Sequence, residues 1–424
     1  AAAYWTRYPG PNTPEAPATV IENGQRYVPH RDTVRSNSRL IVEGTRITCV
    51  GATCAVPDDA RRIDASGLAL LPGLIDLHVH VDAPAGDALN GSVPFASMMW
   101  SYVRHRPDVH RALLQHGVTT VRSVGDPVGH RFGMLRRKTQ IAEHALAGPR
   151  LFTAGPTFTA PGGHPAGTIY EGNPWLIRHA TRQVAHPDTA RARVRTLAEQ
   201  GVDGIKVIYE AGSPERGSLP RLDRDVMAAT IEEANKHDLW VAAHTGTANE
   251  IQHVLEAGDV TTIEHGAYRD TLSADLIEKM GDQEITYVPT LSVVESLTQR
   301  SEVPDEALQM AFHNTARVHD RGVAVGTGTD TQGPNMQFGR SLHREVELLV
   351  KAGFAPRQAL QSATRIGATA LRRGDTLGRL APGTPADLLL IDGRPWDNVD
   401  ALDNVRLVLK AGRLVVDERD NDSP

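Results

Sequence analysis

Two cysteines, 5% aromatic residues and the absence of any long apolar run set the first limits on this 424-residue chain. No apolar stretch approaches the ~18 residues that a membrane-spanning helix needs, so no membrane partner is expected. Basic residues are scattered rather than clustered and the formal net charge is -6 at pH 7, which removes the usual footprint of a nucleic-acid binder. Cys49 and Cys54 have no second ligand pair nearby, which argues against a zinc module. They are either two small buried hydrophobes or a disulfide across a tight turn, and the latter needs an oxidising compartment. No Gly-x-Gly-x-x-Gly turn follows the first predicted strand, which weakens a doubly wound dinucleotide-binding sheet.

The chain opens Ala1-Ala2-Ala3-Tyr4 without Met, as after cleavage behind small residues. Together with the cysteine pair this sets the expectation of a periplasmic or secreted protein, with the cytoplasm left open.

What is present is an ordinary globular composition, 40% hydrophobic and 23% charged, long enough for one large catalytic domain and a small satellite. Residues 1–17, rich in Pro and Ala, read as an N-terminal arm. Residues 18–70 carry short β-like pieces (Leu40–Glu43, Arg46–Val50, Arg62–Asp64) separated by turn residues. Similar pieces recur at Asp387–Ile391, Val405–Lys410 and Arg413–Val416. Neither end can bury a core alone. The expectation is one small β-sandwich domain built from 18–70 and 376–424, with residues 71–375 inserted as a single unit.

That unit alternates short apolar strands with amphipathic helical stretches. Strands are read at Ile75–His80, Val118–Val121, Arg150–Ala154, Gly204–Ile208, Trp240–Ala243, Thr261–Ile263, Ile285–Val288 and Val323–Gly326. Eight such strands argue for a parallel α/β fold of the (β/α)₈ TIM-barrel kind, whose active sites sit at the strand C-termini.

Ligand-type residues lie at those strand ends. In Leu71-Pro72-Gly73-Leu74-Ile75-Asp76-Leu77-His78-Val79-His80, residues i and i+2 of a strand share a face, so His78 and His80 point inward together. Imidazole nitrogens are good ligands for zinc and similar ions. His244 ends the strand from Trp240, and His265 follows one helix and one turn later. A single strand-end His could satisfy a buried hydrogen bond; four in this arrangement are read as ligands. Asp330 closes Val325-Gly326-Thr327-Gly328-Thr329-Asp330, where glycines permit close backbone approach. It is read as ligand and proton acceptor rather than a helix cap. Lys206, inside the apolar run Gly204–Ile208, is either an ordinary ion-paired lysine or, once its amine is neutral, a carbamate able to bridge two cations.

Second-tier candidates are His164 in the glycine-rich loop Pro161–Gly167, suited to a substrate carboxylate or oxyanion, and Tyr209, whose hydroxyl could donate to substrate or merely pack against a barrel loop. Arg122, Asp126, Tyr170 and the Pro174-Trp175 pair follow these.

The whole pattern resembles the amidohydrolase superfamily, in the branch with imidazolonepropionase-like and prolidase-like members. The resemblance runs from Arg46–Gly51 through Leu71–His80 to Gly378–Leu388. It implies that His78 and His80 hold a buried metal, that carboxylated Lys206 bridges two metals, that His244 and His265 hold the more exposed one, and that Asp330 serves the bridging hydroxide. The cofactor expectation is therefore two divalent ions, zinc by ligand type, with N-carboxylated Lys206. Members with a lysine at that strand are usually two-metal amidases, including dipeptidases of the prolidase kind and ochratoxin amidases, whereas single-metal deaminases and imidazolonepropionases lack it. The expected function is hydrolysis of a small-molecule amide with release of a C-terminal amino acid. The alternatives are a lactam or lactone hydrolase, a mononuclear deaminase, or a non-catalytic scaffold. A homo-oligomer is expected, as in many barrels of this family.

Overall fold

The computed structural model describes residues 18–82, 94–126, 130, 133–213, 217–331 and 336–419. The arm expected over 1–17 lies outside them.

Both chain ends meet in one eight-stranded sheet. The N-terminal side supplies Thr19–Val28, Thr33–Glu43, Arg46–Val50, Arg61–Asp64 and Leu68–Pro72, and the C-terminal side supplies Leu388–Asp392, Val405–Lys410 and Arg413–Asp417. The seam is the antiparallel pairing of Leu68–Pro72 with Leu388–Asp392. The hydrogen bonding is continuous rather than split into two sheets, but the sheet curls on itself. Ile47 and Leu407, from opposite ends, share one apolar core with Ile21, Leu40, Leu70 and Leu390. The turns close up so far that a Cβ on Gly412 would stand 2.1 Å from the Gly44 carbonyl oxygen. Cys49 and Cys54 form a disulfide at the edge of this domain.

The inserted unit is a parallel barrel. Its strands are Leu74–Val79, Val118–Ser123, Arg150–Thr153 continued by Thr157–Thr159, Gly204–Ile208, Trp240–His244, Thr262–Glu264, Thr286–Val288 and Ala324–Val325. The third strand is broken at Ala154-Gly155-Pro156. Its first half pairs with the second strand, and its second half pairs with the fourth through Phe158 and Val207. Pro156 cannot donate to a ladder, and Gly155 adopts φ +66°, so the interruption is local in origin. The barrel closes where Leu77 N–H donates to Thr327 O at 2.9 Å.

Helices cover the outside. Pro187–Gln200 shows the local logic: Pro at its first position, buried Ala190, Val194 and Leu197 on one face, and Gly201 at φ +87° ending it. Ala248–Ala257 starts with a reciprocal capping box between Thr247 and Glu250. No helix among the described residues is long and apolar enough to cross a membrane.

Candidate metal centre

The C-terminal ends of the strands converge on five imidazoles. Ring centroids run His80 to His78 at 5.6 Å, His78 to His265 at 4.7 Å, His265 to His244 at 4.4 Å and His244 to His164 at 5.1 Å. Asp330 joins at one end, with Oδ1 3.2 Å from His80 Nε2 and 3.7 Å from His78 Nε2. Two donors about 2.1 Å from a shared zinc ion stand roughly 3.4 Å apart at a tetrahedral angle, so these separations suit a common cation. His78, His80 and Asp330 form one potential ligand set, and His164, Glu210 and His244 form a second.

Outer partners fix the rings. His78 Nδ1 lies 2.7 Å from Glu264 Oε2, His80 Nδ1 2.8 Å from the Gly125 carbonyl, and His265 Nδ1 2.8 Å from Thr290 Oγ1. Metal-ligating histidines are held in this way, with one nitrogen engaged and the other presented to the ion. Glu264 is itself gripped by Arg122, whose guanidinium also donates to Leu77 O and Thr262 Oγ1. Burial alone would raise the Glu264 carboxyl, but Arg122, His78 and Lys206 outweigh it and hold the group far below the usual carboxylate range. Burial drives His265 well below the ordinary imidazole value and His78 down to about 4, so both rings are neutral and able to ligate.

The loops that carry these groups are strained. His265, Thr290 and Asp330 have φ of +64°, +49° and +47°, in the left-handed region. Non-glycine residues there cost of order 1 kcal/mol or more each and need over-determining contacts. For Asp330 the contacts are clear. Thr329 and Asp330 N–H both donate to His78 O, and buried Asp76 accepts from His78 N–H, Thr329 N–H and Thr329 Oγ1. Gly328 permits the approach, since a Cβ there would fall 2.7 Å from His78 Cβ.

Lys206 lies among these groups. Its Nζ is buried and makes no hydrogen bond. Burial lowers its pKa to about 8, against the opposing charges of Glu264 and Asp330.

The remaining candidates divide. His164 reaches the cluster, with Nδ1 2.8 Å from Thr168 Oγ1 and 3.7 Å from Glu210 Oε2. Tyr209 does not. Its ring packs edge-on against His253 and under Arg221, in the apolar layer between barrel and helices. The reason is parity: with Lys206 facing inward, positions 208 and 210 follow it and 209 faces out. Glu210 takes the place expected for Tyr209. Asp126 lies buried on Ser123 and Thr153, and Arg122 is the clamp described above. Tyr170 is packed with Met98, Tyr102 and Leu176, and Trp175 makes tilted ring contacts with Phe95 and His179.

Residues 69–415 match the amidohydrolase family. The chain belongs to that family. Among its relatives, the imidazolonepropionase of Salinispora tropica is 26% identical over 395 residues, covering 86% of each chain. A crystal structure of a Xaa-Pro dipeptidase with bound methionine superposes with a TM-score of 0.80 at 26% identity, covering 94% of this chain and all of that one. The ochratoxinase of A. niger shares the fold, with a TM-score of 0.77 at 22% identity over 95% and 96% of the two chains. This amidohydrolase is thus a metal-binding hydrolase of C–N bonds.

Three buried carboxylates of the amidohydrolase escaped the sequence reading. Asp76 and Glu264 each had a signal, an acid two residues before His78 on the same strand face and an acid beside His265. Glu210 had one too, four residues after Lys206 and so on its face.

Proposed function

We propose that the protein is a two-metal amidase that releases a C-terminal amino acid from dipeptides or N-acyl amino acids. The observation that carries this reading is Lys206: a buried amine with no hydrogen-bond partner, among imidazoles and carboxylates, with its pKa lowered to about 8. Carboxylation would give that nitrogen an anionic group with two oxygens to offer. His78, His80 and Asp330 would hold one cation and His244 and His265 the other, with carboxylated Lys206 between them. Zinc suits the imidazole and carboxylate donors. Bound there, two such ions would supply hydroxide near neutral pH and polarise the scissile carbonyl.

The protein's own groups do the rest. Asp330 Oδ1, held by its strained backbone near both first-strand imidazoles, accepts the proton from the attacking water and returns it to the departing nitrogen. His164 faces the same space and would bind the oxyanion or the carboxylate of the leaving amino acid. Two structural relatives, a Xaa-Pro dipeptidase and an ochratoxinase, support this class of substrate.

A second reading, opening of a cyclic amide or lactone, is favoured by the sequence relatives named imidazolonepropionase. Amino-acid release from a panel of dipeptides and N-acyl amino acids, run beside lactams and lactones with and without chelator, separates the two. Chelator-sensitive release of a free amino acid is expected; ring opening alone would transfer the function to the second reading.

The disulfide supports an exported location, periplasmic or secreted. Phe95, Trp100 and Val103, large exposed hydrophobics on the helix Phe95–Gln115, support assembly into a homo-oligomer.

A further inference from the structure

Four strand-end histidines share a pattern: each has one ring nitrogen held by a neighbouring group, a carboxylate, a carbonyl or a hydroxyl. For His78, His80 and His265 that nitrogen is Nδ1, held by Glu264, Gly125 and Thr290. In His78 and His80 the other nitrogen, Nε2, faces Asp330. His244 reverses the arrangement. Its Nε2 lies 3.2 Å from Glu210 Oε2, which leaves Nδ1 as the ring nitrogen that Glu210 does not engage.

Glu210 is built for this task. It is buried at the end of the fourth strand, on the Lys206 face. Its second oxygen, Oε1, accepts from Arg269 at 3.1 Å, and Arg269 is itself tied to the Gly212 carbonyl and seated on the Tyr268 ring. His164 Nδ1 lies 3.7 Å from the same Oε2 that His244 meets. One carboxylate therefore joins the end of the fifth strand to the loops after the third, fourth and sixth strands.

We propose that Glu210 is a positioning residue that holds His244 as the Nε2–H tautomer, so that Nδ1 is its metal-binding atom, with Arg269 locking the carboxylate in place. An ionised carboxylate on the far nitrogen both orients an imidazole and raises its basicity as a ligand. The proposal rests on the two-metal reading above.

The test uses the full chain stripped of metal and reloaded with Zn²⁺ or Co²⁺ in bicarbonate, as wild type, E210Q and E210L. Wild type is measured first: if it takes up a single equivalent, the two-metal reading fails by itself. With two equivalents bound, the weaker is expected to lose about tenfold in affinity in E210Q, which keeps an acceptor oxygen, and about a hundredfold in E210L. The tighter equivalent should not change. Nitrogen-15 spectra of the histidines should show the Nε2–H form at His244 in wild type and E210Q and lose it in E210L. Unchanged affinity in both variants would overturn the proposal. So would X-ray absorption showing that E210Q removes an oxygen from the metal's own coordination, since Glu210 would then be a ligand. E210Q is isosteric, and equal melting of the metal-free proteins establishes that folding is not the cause.

Discussion

Glu264 Oε2 stands 2.7 Å from His78 Nδ1 while its Oε1 accepts from Arg122 at 2.6 Å. A carboxylate of the sixth strand thus orients an imidazole of the first and neutralises an arginine with no exposed surface. Removing its charge with Glu264→Gln is expected to weaken metal binding 10–100-fold in chelator competition. Glu264→Ala leaves Arg122 buried without its anion and should cost about 3–5 kcal/mol in denaturant unfolding. Wild-type metal affinity in the Gln variant would show that the ring is oriented by something else.

Carboxylation of Lys206, as proposed, would make assembly of the centre depend on pH and CO₂. Carbamate forms only from the neutral amine, and with a pKa near 8 the ammonium form dominates below that value. At fixed dissolved CO₂, the neutral fraction grows about tenfold between pH 7 and pH 9. Recovery of activity on adding zinc to metal-free protein should accelerate to that extent as pH rises through 8, and should be absent in Lys206→Met. A rate independent of pH and of CO₂ would argue against carboxylation.

Tyr209 and His164 should separate in kinetics. Tyr209→Phe removes a hydroxyl from the layer between barrel and helices, so kcat/KM is expected to stay within about twofold. His164→Asn acts at the cluster and should raise KM or lower kcat at least tenfold, about 1.4 kcal/mol of transition-state binding. A tenfold loss in the tyrosine variant would return that residue to the site.

The Cys49–Cys54 bond closes a loop with a sequence separation of 5. Chain entropy for so short a loop is worth about 2 kcal/mol. The Cys49→Ser, Cys54→Ser double variant should therefore unfold at lower denaturant concentration while its kcat, set on the barrel, is unchanged. A loss of kcat in the folded variant would mean that the small domain acts on the centre.

By itself the sequence determined the barrel and the pairing of the two chain ends, and it singled out His78, His80, Lys206, His244, His265 and Asp330 as strand-end candidates. Each ends or lies within an apolar run, and parallel barrel topology carries every strand end to one rim, so local pattern sufficed. Which face each neighbour presents was decided only in three dimensions. Tyr209 turned out and Glu210 in, because register sets parity along the fourth strand. Glu264 points inward by the same alternation, and His265 directly after it joins the cluster at φ +64°, a backbone rotation that no residue type announces. Asp76 became the tie between the first strand and the Thr329 loop because the barrel closes there, 253 residues apart in the chain. Hydrogen bonds of that span depend on tertiary closure, which one stretch of sequence does not contain.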